Sequence, residues 1–131
     1  MLSWLNNFFK NEEREEGISC PKNAQAHFIL KYKKLTIAYL SRLDDKWVFQ
    51  YSDEFKNQHK ISILLNFPAK DQKYEASCLW PFFAHRIPGL GQPQIQKIIK
   101  DEKLNPKNEI ELLRRFGRRS ITNPFELVAT V

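Results

Sequence analysis

The spacing of apolar residues changes period along the chain, and each change predicts a different element. Near the start, Leu2, Leu5, Phe8 and Phe9 recur at helical spacing with Trp4 beside them. The run Asn-Glu-Glu-Arg-Glu-Glu and then Gly17 follow as a helix end. Residues 1–20 are therefore expected to be an amphipathic extension, packed on the body, on a second chain or on a membrane surface. Its acidic tail argues against anionic lipid, because helices that lie on such membranes carry Lys and Arg on their polar face. From residue 24 the period drops to two. His27, Ile29 and Lys31 alternate with Phe28, Leu30 and Tyr32; after Lys33-Lys34, Leu35, Ile37 and Tyr39 alternate again, which predicts a hairpin-like pair of strands. Asp44-Asp45-Lys46 supplies turn chemistry. Trp47-Val48-Phe49-Gln50-Tyr51 then reads as a strand with Trp47, Phe49 and Tyr51 on one face. The run Ile61-Ser62-Ile63-Leu64-Leu65-Asn66-Phe67 before Pro68 predicts a further strand, buried on much of both sides. Polar residues 69–77 read as loop.

Beyond Leu79 the pattern becomes helical. Pro81 is placed for the first turn of a short helix, where its missing N–H is not needed, and Pro88-Gly89-Leu90-Gly91 interrupts it. Gln92-Pro93 opens a second helix with Ile95, Ile98 and Ile99 on one face, ended by Asn105-Pro106. Asn108 with Glu111 three residues on resembles a capping box for a third helix. Ile110, Leu112, Leu113 and Phe116 form its apolar face, and Gly117 stands at its end. Strands followed by helices define an α+β domain: a small antiparallel sheet from the N-terminal half packed with two to three C-terminal helices, residues 21–131 forming one domain.

Composition supports a folded core. The 131 residues are 42% hydrophobic, with ten Phe, three Trp and four Tyr, and a chain of this length buries about two thirds of its unfolded surface. The net charge is +6, unevenly distributed. The first 17 residues set Lys10 and Arg14 against Glu12, Glu13, Glu15 and Glu16, leaving a basic body suited to nucleic acid, acidic protein surfaces or ordinary solubility. Cys20 and Cys78 have neither CxxC spacing nor ligand neighbours, and His27, His59 and His85 are scattered, so no disulfide framework, metal site or cofactor is expected. No apolar run reaches the roughly 18–20 residues that span a bilayer, and the cytoplasm is the expected location.

Catalytic motifs do not emerge. There is no phosphate-cradling G-x-x-x-x-G-K-[ST], H-E-x-x-H or G-x-S-x-G, and Asp44-Asp45 reads as a solvated turn. The chain is expected to be a non-enzymatic binding protein. Two segments stand out. Between Cys78 and Pro88, Trp80, Phe82 and Phe83 surround a proline and are followed by His85 and Arg86. At least one of the two phenylalanines should face inward, while Trp80 is of the residue type most enriched at binding hot spots. The second segment holds Arg114, Arg115, Arg118 and Arg119. These clamp phosphates or carboxylates bidentately, or simply complement a helix C-terminus. The clamp reading makes nucleic-acid binding the alternative function, although no helix-turn-helix or RNA-binding aromatic motif is present.

In order, the strand around Trp47–Tyr51, the run Ile61–Pro68, Pro81-Phe82-Phe83-Ala84-His85, and Glu111-Leu112-Leu113 with Phe116-Gly117 resemble the N-terminal subdomain of HipA-type toxin kinases. They are similar in particular to free-standing, HipS-like members from three-part HipBST toxin–antitoxin systems. The sequence departs from the kinase-linked pattern at Arg86-Ile87-Pro88-Gly89-Leu90, where that pattern has L-L-P-E-G, and it contains no kinase core; residues 1–20 have no counterpart. The resemblance implies an antitoxin-like subunit that binds a HipT- or HipA-like Ser/Thr kinase and blocks its active site with an aromatic side chain. Trp80 lies in the corresponding neighbourhood, with Phe82, Phe83, His85 and Arg86 as further partner-binding candidates. A HipB-like DNA-binding subunit is a possible third member of the complex.

Overall fold

Two tight turns set the centre of the sheet. The computed structural model describes residues 17–130; the amphipathic helix expected over residues 2–10 lies outside them. Strand β1 (Ala26–Tyr32) turns through Lys33-Lys34 into β2 (Leu35–Leu43), and β2 turns through Asp44-Asp45 into β3 (Lys46–Tyr51). Asp44 and Asp45 have φ of 52° and 60°. A two-residue hairpin whose twist matches its strands needs positive φ at both positions, and Asp tolerates that region better than most residues. On β3 the alternation holds as expected, with Trp47, Phe49 and Tyr51 buried.

On β2 it does not hold. The register with β1 slips between Leu30 and Lys31, which face Ala38 and Thr36, so Ile37 is an inserted residue. Ile37 and Ala38 are consequently both buried, and the parity of every later side chain is reversed. Tyr39, expected on the face of Leu35 and Ile37, stands 48% exposed, while Leu40 and Arg42 turn inward.

The full sheet has the order β4-β3-β2-β1-β5, antiparallel throughout. Both edge strands differ from the sequence expectation. The stretch 69–77 holds β4 (Tyr74–Ala76), paired with β3 from Trp47 to Phe49. Residues Glu126–Thr130, beyond the last expected helix, form β5, paired with β1. The C-terminal end of the domain thus completes a sheet begun by its N-terminal half.

Residues 61–67 are not a strand. The segment is irregular, and its polar backbone groups are met locally. The Gln58 side chain donates to the carbonyls of Phe55 and Ile61 and accepts from the amides of Lys60 and Ile61. The Tyr51 hydroxyl donates to the Phe67 carbonyl at 2.7 Å and accepts from the Leu64 amide at 2.9 Å. With these groups satisfied, the segment has no need of a ladder, and the high strand propensity of its residues is overridden. Leu64 and Phe67 enter the core, whereas Leu65 is 98% exposed.

The helices are short. The one-turn α1 (Asp53–Lys56), not anticipated, is capped by Ser52, whose Oγ accepts from the Phe55 amide and donates to the Thr36 carbonyl. It seats Phe55 face to face on Tyr51, with centroids 4.6 Å apart. Helices α2 (Pro81–Ala84), α3 (Pro93–Asp101) and α4 (Glu109–Phe116) follow. At the start of α4, Asn108 Oδ1 accepts from the amides of Ile110 and Glu111, and Glu111 Oε2 accepts from Asn108 Nδ2. Ile110, Leu112 and Leu113 are buried. Gly117 closes α4 at φ −85°, so space, not conformation, requires glycine: a Cβ would lie 2.5 Å from the Leu113 carbonyl oxygen.

Candidate functional site

The segment from Trp80 to Arg86 is divided by one helical turn into an inner and an outer set. Trp80 is extended at the N-cap of α2, and its carbonyl accepts from the amides of Phe83 and Ala84. Pro81 occupies the first turn with no cost in lost hydrogen bonds. The turn then points Phe83, Ala84 and Arg86 inward, leaving Phe82 half-buried and His85 exposed. Phe83 is the inward member of the aromatic pair: it is fully buried and packs 6.0 Å from Phe49 and 6.2 Å from Phe67. Trp80 is half-buried, its ring edge-on to Phe67 at 5.0 Å and to Phe49 at 6.4 Å.

Arg86 is a structural tie. Only 5% exposed, it donates from Nη1 to the carbonyls of Gly117 (2.9 Å) and Arg118 (3.3 Å). From Nη2 it donates to Asn123 Oδ1 (2.9 Å) and the Phe125 carbonyl (3.1 Å). Its guanidinium lies 5.6 Å from the centre of the Phe82 ring. Its partners among the described residues are carbonyl and amide oxygens at and beyond the C-terminus of α4, where the helix dipole favours a cation. Burial pulls its pKa down to about 10, still far enough above neutrality to keep the charge. The tie fixes α2 against the segment 117–125 and so positions both Phe82 and Phe125, whose rings are 6.1 Å apart.

Phe82, Phe125, Pro81 and His85 form one wall of an apolar groove of about 530 Å³, and residues 61–66 form the other. Ile63, 39% exposed, and Leu65 stand on that second wall. Nothing along the chain marks Leu65 or Phe125 as a groove residue, since one reads as strand interior and the other as an unassigned loop aromatic. Trp80 does not line the groove, though its indole N–H has no hydrogen-bond partner among the described residues.

The arginine cluster is not brought to this groove. Arg115 binds Glu102 bidentately, Nε to Oε1 at 2.7 Å and Nη2 to Oε2 at 3.0 Å. Arg118 Nε donates to Glu126 Oε2, with Arg119 Nη2 3.6 Å from the same oxygen. Arg114 is exposed and has no carboxylate partner among the described residues. The hydrogen bond from Arg115 holds the Glu102 carboxyl below the usual carboxylate range, and that from Arg118 does the same for Glu126. Because both folded-state pKa values are depressed, these pairs act above the ordinary glutamate range and are lost as pH falls through the folded values. In an NMR pH titration, Glu102 and Glu126 should show midpoints below that of an ordinary glutamate, moving upward in high salt because both pairs are exposed. Midpoints at the ordinary value would show the pairs to be absent in solution.

Among the described residues there is no helix long and apolar enough to cross a membrane and no cluster of three or more His, Cys, Asp or Glu suited to a metal ion. Cys20 and Cys78 are not joined in a disulfide.

With strand-rich first half, the α2 aromatic turn and the closing α4 helix in place, comparison with protein families gives a match to the HipA N-terminal domain over residues 29–121. The chain belongs to that family. The match runs from within β1 to just past α4 and takes in Arg86 and the groove residues 61–66 and 81–85, while Asn123 and Phe125 lie beyond it. No curated protein sequence matches the chain. The family is the N-terminal subdomain of HipA and not a catalytic domain, and it sets the chain in a toxin–antitoxin context.

Proposed function

We propose that this protein is a non-catalytic, antitoxin-like regulatory subunit that binds a HipA- or HipT-like Ser/Thr kinase and inhibits it, with a HipB-like DNA-binding subunit as a further member of the complex. The observation that carries this reading is the apolar groove between residues 61–66 and α2, with Leu65 fully presented to solvent on a domain of the HipA N-terminal family. Contiguous exposed apolar surface beside aromatic side chains is characteristic of protein contact sites. In this reading Trp80, Phe82 and His85 face the kinase, and Phe83 and Arg86 hold them in position. Direct nucleic-acid binding is less favoured, because Arg115, Arg118 and Arg119 already face Glu102 and Glu126.

The test uses a HipA-like kinase encoded beside the gene for this protein, with affinity measured by calorimetry and inhibition by autophosphorylation. Trp80→Ala should weaken binding by about 2 kcal/mol or more, the scale of a hot-spot truncation. Leu65→Asp, at a side chain with no packing to lose, should weaken binding without altering stability. Unchanged affinity and inhibition in both variants, with the fold intact, would remove the groove and Trp80 from the mechanism. Absence of any such neighbouring kinase gene would count against the kinase as partner.

A further inference from the structure

The groove between residues 61–66 and α2 has a sign as well as a shape. Its lining is apolar apart from Ser62, Asn66 and His85, and contains no acidic residue. Behind its α2 wall lies a buried cation. The Arg86 guanidinium sits 5.6 Å from the centre of the Phe82 ring, and its hydrogen-bond partners among the described residues are all neutral oxygens. Those oxygens solvate the charge without cancelling it, and the buried Nε has no partner among the described residues. Burial alone accounts for the lowered pKa of this arginine, with no carboxylate to offset it. A charge in a low-dielectric interior acts more strongly on its surroundings than one in water, so Arg86 biases the groove toward anions.

The rim carries the same sign. At one end Phe125 meets Tyr32 edge-on at 6.1 Å, and the exposed Lys33 Nζ lies 5.4 Å from the centre of the Tyr32 ring. On the opposite wall, exposed Lys60 directly precedes Ile61. Neither lysine takes part in an ion pair among the described residues. His85 is exposed on the α2 wall. Glu126 directly follows Phe125, but Arg118 and Arg119 face its carboxylate.

We infer that the groove takes an acidic–apolar segment of a partner protein: a leucine or phenylalanine side chain seated among Leu65, Phe82 and Phe125, flanked by carboxylates that face Lys33, Lys60 and His85. The segment belongs to the kinase only on the proposed function; the charge of the groove does not depend on it. The two parts of the segment have separate roles. Burial of the apolar side chain supplies affinity, while the carboxylates select the segment and speed its approach. A segment with lysines beside the same apolar residues would bury the same area and meet like charge at both walls.

NMR titration of the isotope-labelled full-length protein tests this with two synthetic peptides. They share a Leu-Ala-Ala-Phe core and differ only in their flanking residues, all Glu or all Lys, and both are taken to millimolar concentration. The glutamate peptide should bind about tenfold or more tighter at low salt, shift the amides of Leu65, Phe82 and Phe125, and lose its advantage at high salt. Lys33→Glu combined with Lys60→Glu should erase the preference, and Leu65→Ser should weaken the glutamate peptide, with the amide pattern of β2 unchanged in each variant as the control for folding. Equal affinity for the two peptides, shifts outside the groove, or no binding of either would overturn the inference. So would groove shifts that appear with protein concentration alone, which would make a second copy the occupant, or the same shifts with a DNA oligonucleotide in place of the glutamate peptide. With the kinase, the double charge reversal should slow association. Kinase binding weakened by Leu65→Asp but untouched by the charge reversal would overturn the acidic segment and leave the kinase reading standing, whereas a glutamate peptide held in the groove of a protein that binds no kinase would do the opposite.

Discussion

Arg86→Ala is expected to destabilise the domain by about 3–5 kcal/mol, the scale seen when one side of a buried charged contact is removed. The substitution strips donors from the carbonyls of Gly117, Arg118 and Phe125 and from Asn123 Oδ1. Each buried acceptor left without a partner costs about 1–3 kcal/mol, and the cavity left behind adds to that. Against a total stability of about 5–15 kcal/mol for a domain, this is a large fraction. Urea denaturation monitored by Trp fluorescence measures it. Arg86→Lys keeps the charge but lacks the planar fork, so it should fall between the wild type and alanine and remains measurable if the alanine variant does not fold. A loss below about 1 kcal/mol for both would refute the structural role. With the structural role intact, any effect of Arg86→Ala on a partner acts through displaced Phe82 and Phe125.

Phe67→Ala is expected to cost about 3–5 kcal/mol, and Leu65→Ala about 0.5 kcal/mol or less. Phe67 is fully buried, stacked on Phe49 with centroids 3.6 Å apart and edge-on to Tyr74 and Trp80. Leu65 touches little but solvent. The contrast separates two conformations. In a strand, residues 63, 65 and 67 share a face and truncation of each should be costly. In the irregular segment the inward residues are Ile61, Leu64 and Phe67, three apart. Leu64→Ala should accordingly cost about 2–5 kcal/mol. Equal penalties at Leu65 and Phe67 in chemical denaturation would restore the strand. Because Phe67 also packs under Trp80, its truncation should weaken partner binding indirectly, whereas Leu65→Ala changes binding with no loss of stability.

Much of this domain is legible along the chain. Period-two alternation placed β1 and β3, because one face of each is buried and a strand puts alternate side chains on opposite faces. Asp44-Asp45 marked a turn through its backbone tolerance. Pro81, Pro93 and Asn108 marked three helix starts, because capping and the missing proline N–H act within one turn. The aromatic turn from Trp80 to His85 was visible for the same local reason. What failed was non-local. The inserted Ile37 is a property of the β1–β2 register, and nothing in the run Leu35 to Tyr39 announces it. β4 is three residues long and polar enough to read as loop; only pairing with β3 makes it a strand. For residues 61–67, composition favoured a strand, and bonds from Gln58 and Tyr51 took the backbone elsewhere.

The candidate site divides in the same way. The sequence by itself determined an α+β domain with antiparallel strands, its membership pattern, and the concentration of aromatic residues around Pro81, since all of these depend on local spacing and residue type. Only the tertiary structure decided which of those residues turn inward and which line the groove. It turned Phe83 and Arg86 inward, set Leu65 and Phe125 opposite Phe82 in one groove, and placed Glu102 and Glu126 against three of the four arginines. Residues 65, 82 and 125 become neighbours through the Arg86 tie and the Phe67 anchor, and contacts between residues so far apart along the chain are set by burial and hydrogen-bond satisfaction of the whole fold, which no local pattern encodes.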